Sequence, residues 1–302
     1  MCTIFGSRRA LVVALALVFA VAAAARQSVS AQSSRERTMF VSAVDQKGEP
    51  VEGLGPDDFV IREDGATREV LRVSHAIEPI DIAVLVDNSA TTDSVMPRVR
   101  EGLTAFTKAM SKGNQIAIVT LADRPTILVD FTSNTQQLLD AVGLLWPRTH
   151  AGSTFMDALF EISRGLERRD TPRAVILPVM TDGTDFVNRQ YEQVMPEVEK
   201  AGAAIHAVTI GNFSSTNTDE LRNRARVLAE GTKVTGGQRV NLLTPMGVQQ
   251  TLERLGRELS AQYKVVYGRP DSLIPPEKIE VSAKRPGLTM RGTLERGTGT
   301  SR

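Results

Sequence analysis

Two almost wholly apolar blocks, Ile80–Val86 and Arg173–Met180, set the tightest limit on what this chain can fold into. A strand with one face in water alternates apolar and polar residues. These blocks do not alternate, so both faces need covering, as for a parallel strand held between two layers of helix. The surrounding sequence supplies the helices. Asp93–Met110 places Val95, Val99, Leu103 and Phe106 at helical spacing. Thr135–Leu145 and Phe155–Arg168 are also helical, the second with Leu159, Ile162 and Leu166 on one face. Gln115–Leu121 and Thr126–Phe131 flank the turn Ala122–Pro125 and read as a hairpin with one antiparallel member. Then follow a helix at Tyr191–Ala201, a strand at Ala204–Ile210, a helix at Thr218–Ala229, a short strand at Val240–Leu243 and a long helix at Met246–Tyr263. This alternation predicts a doubly wound α/β domain over residues 79–262, with a mostly parallel six-stranded sheet, one antiparallel edge strand and helices on both faces.

The two ends of the chain read differently. Met39–Val44, Phe59–Arg62 and Val70–Val73 are short strands, with turn residues at Asp45–Gly48 and a hairpin turn at Glu63–Gly65. Alone they are too few to bury a stable core. Strands return at Tyr263–Tyr267, Lys278–Ala283 and Leu288–Arg291. The expectation is a small β domain built from residues 39–78 and 263–293, with the α/β domain inserted between them and a polar tail over 294–302.

The first residues have the form of an export signal. Arg8 and Arg9 precede the apolar run Ala10–Ala25, and Val29-Ser30-Ala31 offers small residues for cleavage. The run falls short of the roughly 20 residues that a spanning helix needs. Removal of residues 1–31 would leave a linker at 32–38 and a periplasmic or secreted chain. The single cysteine, Cys2, precedes the apolar run, so the processed chain would hold no disulfide. No later run approaches membrane length, so no span is expected in the processed chain. With 36 Lys and Arg against 35 acidic residues, and only 5% aromatics, nothing marks a nucleic-acid surface.

The chemistry lies where strands end. In an open parallel sheet, ligands gather at the carboxyl edge of the strands. Asp87, Ser89 and Thr91 follow the first strand of the α/β domain, Gly152-Ser153-Thr154 leads into a helix, and Asp182 stands in Thr181-Asp182-Gly183. Taken singly, each is an ordinary turn or helix cap. At one sheet edge, the two carboxylates of Asp87 and Asp182 and the three hydroxyls of Ser89, Thr91 and Thr154 form an all-oxygen set suited to a hard divalent cation. Asp93 reads as a helix-start charge, Asp185 as a loop acid, His150 as an exposed loop residue and His206 as core.

The set Asp87-x-Ser89-x-Thr91, Thr154 and Asp182-Gly183 resembles the metal-ion-dependent adhesion site of von Willebrand factor type A domains. The likeness covers Pro79 to about Tyr263. Val51-Glu52-Gly53-Leu54, Glu63-Asp64-Gly65 and Lys284-Arg285-Pro286-Gly287-Leu288 are similar to a secreted bacterial subfamily of such proteins, of the acidobacterial type. The resemblance implies Mg²⁺ or Mn²⁺, with Ca²⁺ possible, bound by Asp87, Ser89, Thr91, Thr154 and Asp182. It also implies a protein or peptide partner whose Asp or Glu completes the metal's shell. Thr91 stands where the family usually has Ser, which keeps the hydroxyl but restricts its rotamer. Two other functions stay open: a metal-assisted hydrolase, for which Asp93, Asp185 or His150 would have to act as base, and a scaffold with an unused site. No His-Glu-x-x-His, Gly-x-Ser-x-Gly or Gly-Lys-Thr motif is present, so the expectation is a binding protein and not an enzyme.

Overall fold

Every residue of Asp81–Val86 and of Ala174–Thr181 is buried in the computed structural model. The structure describes residues 36–186, 189–213, 218–269, 276 and 278–295. The expected export signal at 1–31, residues 32–35 of the expected linker and residues 296–302 of the tail lie outside the described residues.

The strands are β1 (Glu36–Val44), β2 (Phe59–Glu63), β3 (Ala66–Arg68), β4 (Val70–His75), β5 (Asp81–Val86), β6 (Gln115–Thr120), β7 (Thr126–Thr132), β8 (Ala174–Thr181), β9 (Ala203–Ile210), β10 (Gln238–Leu242), β11 (Tyr263–Gly268), β12 (Ile279–Ala283) and β13 (Thr289–Leu294). The helices are α1 (Met96–Met110), α2 (Thr135–Gly143), α3 (Phe155–Arg169), α4 (Tyr191–Ala201), α5 (Asp219–Arg226) and α6 (Val248–Ser260). Helix α5 runs on through a π turn at Val227–Gly231.

The central sheet has the order β10-β9-β8-β5-β6-β7. Its pairings are parallel except that of β6 with β7, so the antiparallel member stands at the edge as expected. Alternate residues of β5 feed two cores. Ile82, Val84 and Val86 pack with Val99, Leu103 and Phe106 of α1 and Leu252 of α6. Ala83 and Leu85 pack with Phe155 and Leu159 of α3 and Val194 of α4. The absence of polar alternation in the sequence is the direct consequence.

The chain ends build two further sheets, β13-β1-β11-β4 and β12-β2-β3. Strand β1 lies between two C-terminal strands, with Met39 opposite both Val265 and Leu294. Both sheets contribute to one core, including Met39, Val41, Phe59, Ile61, Val265 and Tyr267. Buried Glu63 of β2 accepts a hydrogen bond from the Tyr267 hydroxyl at 3.0 Å, which ties the two sheets together, and another from Arg68 Nε at 2.9 Å within its own sheet. Arg173, just before β8, bridges to the α/β layers. It donates to the carbonyls of Glu78 and Leu259 and to Gln262 Oε1, and its burial pulls its pKa down to about 10.

Several boundaries differ from the sequence reading: Leu294, read as the start of the tail, is the last residue of β13 and pairs with Met39, and four other differences each have a local reason. Residues 36–38, read as linker, are already in β1, because Glu36 and Thr38 pair with Gly268 and Val266. The hairpin after β2 returns through β3, and Val70–Val73 instead belong to β4, paired with β11 in the other sheet. Helix α1 begins at Met96 instead of Asp93, because a 3₁₀ turn occupies Ala90–Thr92 and Pro97 sits in the first helical turn. The last long helix ends at Ser260, because Tyr263 is buried as the first residue of β11.

Candidate metal centre

Strands β5 and β8 run side by side in parallel, with the last residue of β5, Val86, opposite Val179 and β8 continuing to Thr181. The next residue, Asp87, is buried and accepts three hydrogen bonds. Its Oδ1 takes the Ser89 N–H at 3.0 Å, and its Oδ2 takes the Thr181 N–H at 3.0 Å and the Thr181 hydroxyl at 2.6 Å. Since Thr181 spends its one proton on Asp87, the Thr91 hydroxyl donates to Thr181 at 2.8 Å, and the Ser89 hydroxyl stands 3.3 Å from Thr91. A string of hydroxyls thus runs from Ser89 through Thr91 and Thr181 to the Asp87 carboxylate. Asp87, Ser89 and Thr91 are brought together as the sequence suggested. Thr181, read only as a flanking residue, is the joint between the two loops.

Asp182 follows on β8 and is exposed, with Oδ2 accepting the Asn212 N–H at 2.7 Å. A side chain at Gly211 would press on this carboxylate, because an added Cβ would lie 2.6 Å from it.

Thr154 is buried, and the proton of its hydroxyl is already engaged. Its hydroxyl donates to the Leu121 carbonyl at 2.7 Å, and its N–H bonds the same carbonyl at 2.9 Å. The hydroxyl beside it, Ser153 Oγ, is buried and has no hydrogen-bond partner. Backbone bonds Ser153 N–H to Thr184 O and Phe186 N–H to Ser153 O set Ser153 against Asp185. Asp185 is buried as well: Oδ1 accepts the Phe155 N–H at 3.3 Å, and Oδ2 has no partner. Desolvation pushes the Asp185 carboxyl up to about 7. The Arg224 charge and the Phe155 N–H oppose the rise, while the Asp87 and Asp157 charges add to it. Ser153 and Asp185 were both in view in the sequence, but nothing there marks a hydroxyl or carboxylate that the fold leaves unpaired.

Arg224 of α5 completes the surroundings. It is buried, and Nη1 donates to the Gly183 carbonyl at 2.6 Å. Burial lowers its pKa, and the charges of Asp185, Asp87 and Asp182 work against that lowering.

No group of three or more His, Cys, Asp or Glu side chains that could hold a metal is present among the described residues. Any cation here would therefore rely on hydroxyl oxygens as well as carboxylates. The two orphaned buried oxygens, Ser153 Oγ and Asp185 Oδ2, fit that requirement, since buried polar atoms ordinarily find a partner. The donor set is all oxygen, the preference of Mg²⁺, Mn²⁺ and Ca²⁺. Among the described residues none of the three histidines is arranged as a catalytic base: His75 stacks on Tyr263, His206 has neither ring nitrogen bonded, and His150 is in an exposed loop with φ 65°.

The family model of the von Willebrand factor type A domain matches residues 82–184. No curated protein gives a significant match. Among solved structures, a von Willebrand factor type A protein from Catenulispora acidiphila is similar, at 12% identity and a TM-score of 0.50, over 86% of this chain and 73% of that one. BatB from Bacteroides thetaiotaomicron is similar at 11% identity and a TM-score of 0.46, over 60% of this chain and 97% of that one. The von Willebrand domain of the type V pili tip protein Mfa5 from Porphyromonas gingivalis also matches, at 11% identity and a TM-score of 0.44, over 60% and 95% of the respective chains. With the six-stranded sheet and the family match across β5 to β8, the chain carries a domain of the von Willebrand factor type A fold.

Proposed function

We propose that this protein is an exported binding module of the secreted bacterial, acidobacterial-type subfamily, which uses a divalent cation to recognise an acidic group on a protein or peptide partner. Asp87, Ser89, Thr91 and Asp182 would hold the ion, with a further hydroxyl from the Ser153–Thr154 loop. The ion would be Mg²⁺ or Mn²⁺, with Ca²⁺ as the larger alternative. When bound, it supplies an electrophilic position for the partner's Asp or Glu carboxylate. The division into an α/β domain over 79–262 and β segments over 36–78 and 263–294 belongs to the same proposal, with the β sheets as a platform for the α/β domain. Among the described residues no helix is long and apolar enough to cross a membrane.

The observation that carries the reading is the pair of buried, unpartnered oxygens, Ser153 Oγ and Asp185 Oδ2, in loops next to the Asp87–Thr91–Thr181 string. Mn²⁺ titration calorimetry on the wild type and on Asp182→Ala tests it. Binding by the wild type that is lost in Asp182→Ala and reversed by EDTA supports the reading. Equal Mn²⁺ affinity in both proteins overturns the assignment of Asp182.

The unpartnered Asp185 Oδ2 is the feature that favours a metal-assisted hydrolase, since a free carboxylate oxygen beside an ion suits proton transfer. The side chain is buried, however, which favours binding over turnover at this edge. EDTA-sensitive hydrolysis of peptide or ester substrates, abolished in Asp185→Asn, would reverse that preference.

A further inference from the structure

We propose that Arg224 is a resident counter-cation of the candidate metal centre: its fixed positive charge offsets the carboxylates in the ion-free protein and lowers their affinity for a divalent ion. The inference rests on the metal-binding reading of the site.

Arg224 belongs to α5, outside the loops that carry the candidate ligands. Its side chain is 3% exposed and reaches under the loop after β8, where Nη1 donates to Gly183 O at 2.6 Å. Its charge acts on Asp185, Asp87 and Asp182 together. One further contact holds the guanidinium in place: it lies 5.0 Å from the Phe213 ring centre. Arg239 lies 5.0 Å from the same ring. Arg239 is itself tethered, its Nε donating to Thr209 Oγ1 at 3.2 Å, and it feels the like charge of Arg224.

Two buried carboxylates, Asp87 and Asp185, and the exposed Asp182 repel one another when no ion is present. In a poorly solvated setting such repulsion would spread the loops apart or force a carboxyl to take up a proton. A guanidinium fixed beside them reduces the repulsion without occupying the coordination positions, because its hydrogen bond goes to the Gly183 backbone carbonyl and not to a carboxylate. The same charge then repels an arriving divalent ion. The site is thereby preformed but holds the ion loosely, and an acidic partner's carboxylate restores the missing negative charge.

The test is calorimetric titration of Mn²⁺ alone into the wild type, Arg224→Met and Arg224→Lys, with thermal melting of each protein to check its fold. Methionine keeps much of the bulk and removes the charge; lysine keeps the charge. Arg224→Met should bind Mn²⁺ roughly tenfold or more tightly than the wild type, the scale expected for one unit charge near a divalent ion in a partly buried site. Arg224→Lys should stay within about threefold of the wild type on the same argument. Binding by Arg224→Met with none by the wild type also supports the proposal, in its strongest form. If the wild type binds and a folded Arg224→Met binds no more tightly, the proposal fails while the metal-binding reading stands. If none of the three folded proteins binds Mn²⁺, both fail. If Arg224→Met does not fold, Arg224→Gln, which keeps an N–H donor for the Gly183 carbonyl without the charge, takes its place: Mn²⁺ binding tighter than that of the wild type supports the proposal, and binding that is equal or weaker overturns it.

Discussion

Thr91 lies against Gly183 so closely that a Cβ on the glycine would come within 2.3 Å of the Thr91 hydroxyl oxygen and 3.0 Å of its methyl carbon. The first and third loops of the candidate centre therefore interlock through a side chain on one and the lack of one on the other. Gly183→Ala should push Thr91 from its bond to Thr181 and weaken Mn²⁺ binding by about tenfold, with a loss of roughly 1–3 kcal/mol in stability from overpacking. Thr91→Ser keeps the oxygen and removes only the methyl, so it should bind Mn²⁺ within a few-fold of the wild type. Calorimetry and urea denaturation on both variants check this. A loss of stability with unchanged Mn²⁺ affinity in Gly183→Ala would separate the glycine from the metal centre.

The two aspartates should respond differently to truncation. Asp87 is buried and accepts three hydrogen bonds, two of them from backbone N–H groups, whereas Asp182 is exposed and accepts the Asn212 N–H. Asp87→Ala leaves buried donors unpaired, at about 1–3 kcal/mol for each. It should lower the denaturation midpoint markedly and lose metal binding as well. Asp182→Ala should lose binding with little change in midpoint. Comparable destabilisation by the two substitutions would show that Asp182 is held more tightly than its exposure implies.

The loop before α3 offers two adjacent hydroxyls with opposite surroundings. Thr154 Oγ1 is bonded to Leu121 O, and Ser153 Oγ has no partner. Thr154→Val should cost roughly 1 kcal/mol in stability, since it removes a buried hydrogen bond and leaves the carbonyl its other bond. If Ser153 is the hydroxyl that serves the ion, Ser153→Ala should leave stability unchanged or slightly raised and weaken Mn²⁺ binding. The reverse pattern, with binding lost in Thr154→Val and kept in Ser153→Ala, would return the role to Thr154.

How far the sequence reveals this architecture depends on the range of the forces involved. The apolar blocks around Ile82 and Ile176 required a sheet covered on both faces, and the pairing of β1 with β11 and β13 followed from orphan strands at both ends that needed partners. Asp87, Ser89 and Thr91 were legible because their spacing sits inside one loop. The commitment of Thr154 to Leu121 was not, since Leu121 is a carbonyl supplied by another strand and every residue carries one. Arg224 was equally hidden: in sequence it is one of several charges on a polar helix, and only the packing of α5 against the loop after β8 buries it. The switch of Val70–His75 from the hairpin to the other sheet turns on where three short strands find partners, which local turn signals such as Asp64-Gly65 do not determine.

His206 gives a pH-dependent prediction away from the metal centre. It lies in β9, fully buried, with neither ring nitrogen hydrogen-bonded. Desolvation pulls its pKa from 6.5 to about 4, with Glu258 opposing the fall and Arg291 adding to it. The folded protein therefore keeps the imidazole neutral at a pH where the unfolded chain takes up a proton. The group's contribution to stability is complete above the unfolded pKa of 6.5 and is lost progressively as the pH falls toward about 4. At about 1.4 kcal/mol for each pH unit of displacement, the loss is on the order of 3 kcal/mol. Carboxylates titrate in the lower part of the same window, so the difference between the wild type and His206→Leu isolates the histidine. The leucine variant should match or exceed the wild type at pH 7, because it removes two unpaired buried nitrogens, and its advantage should widen between pH 6.5 and 4.5. Urea midpoints measured across that range give the answer: parallel curves for the two proteins would mean that His206 takes up its proton in the folded state as readily as in the unfolded one.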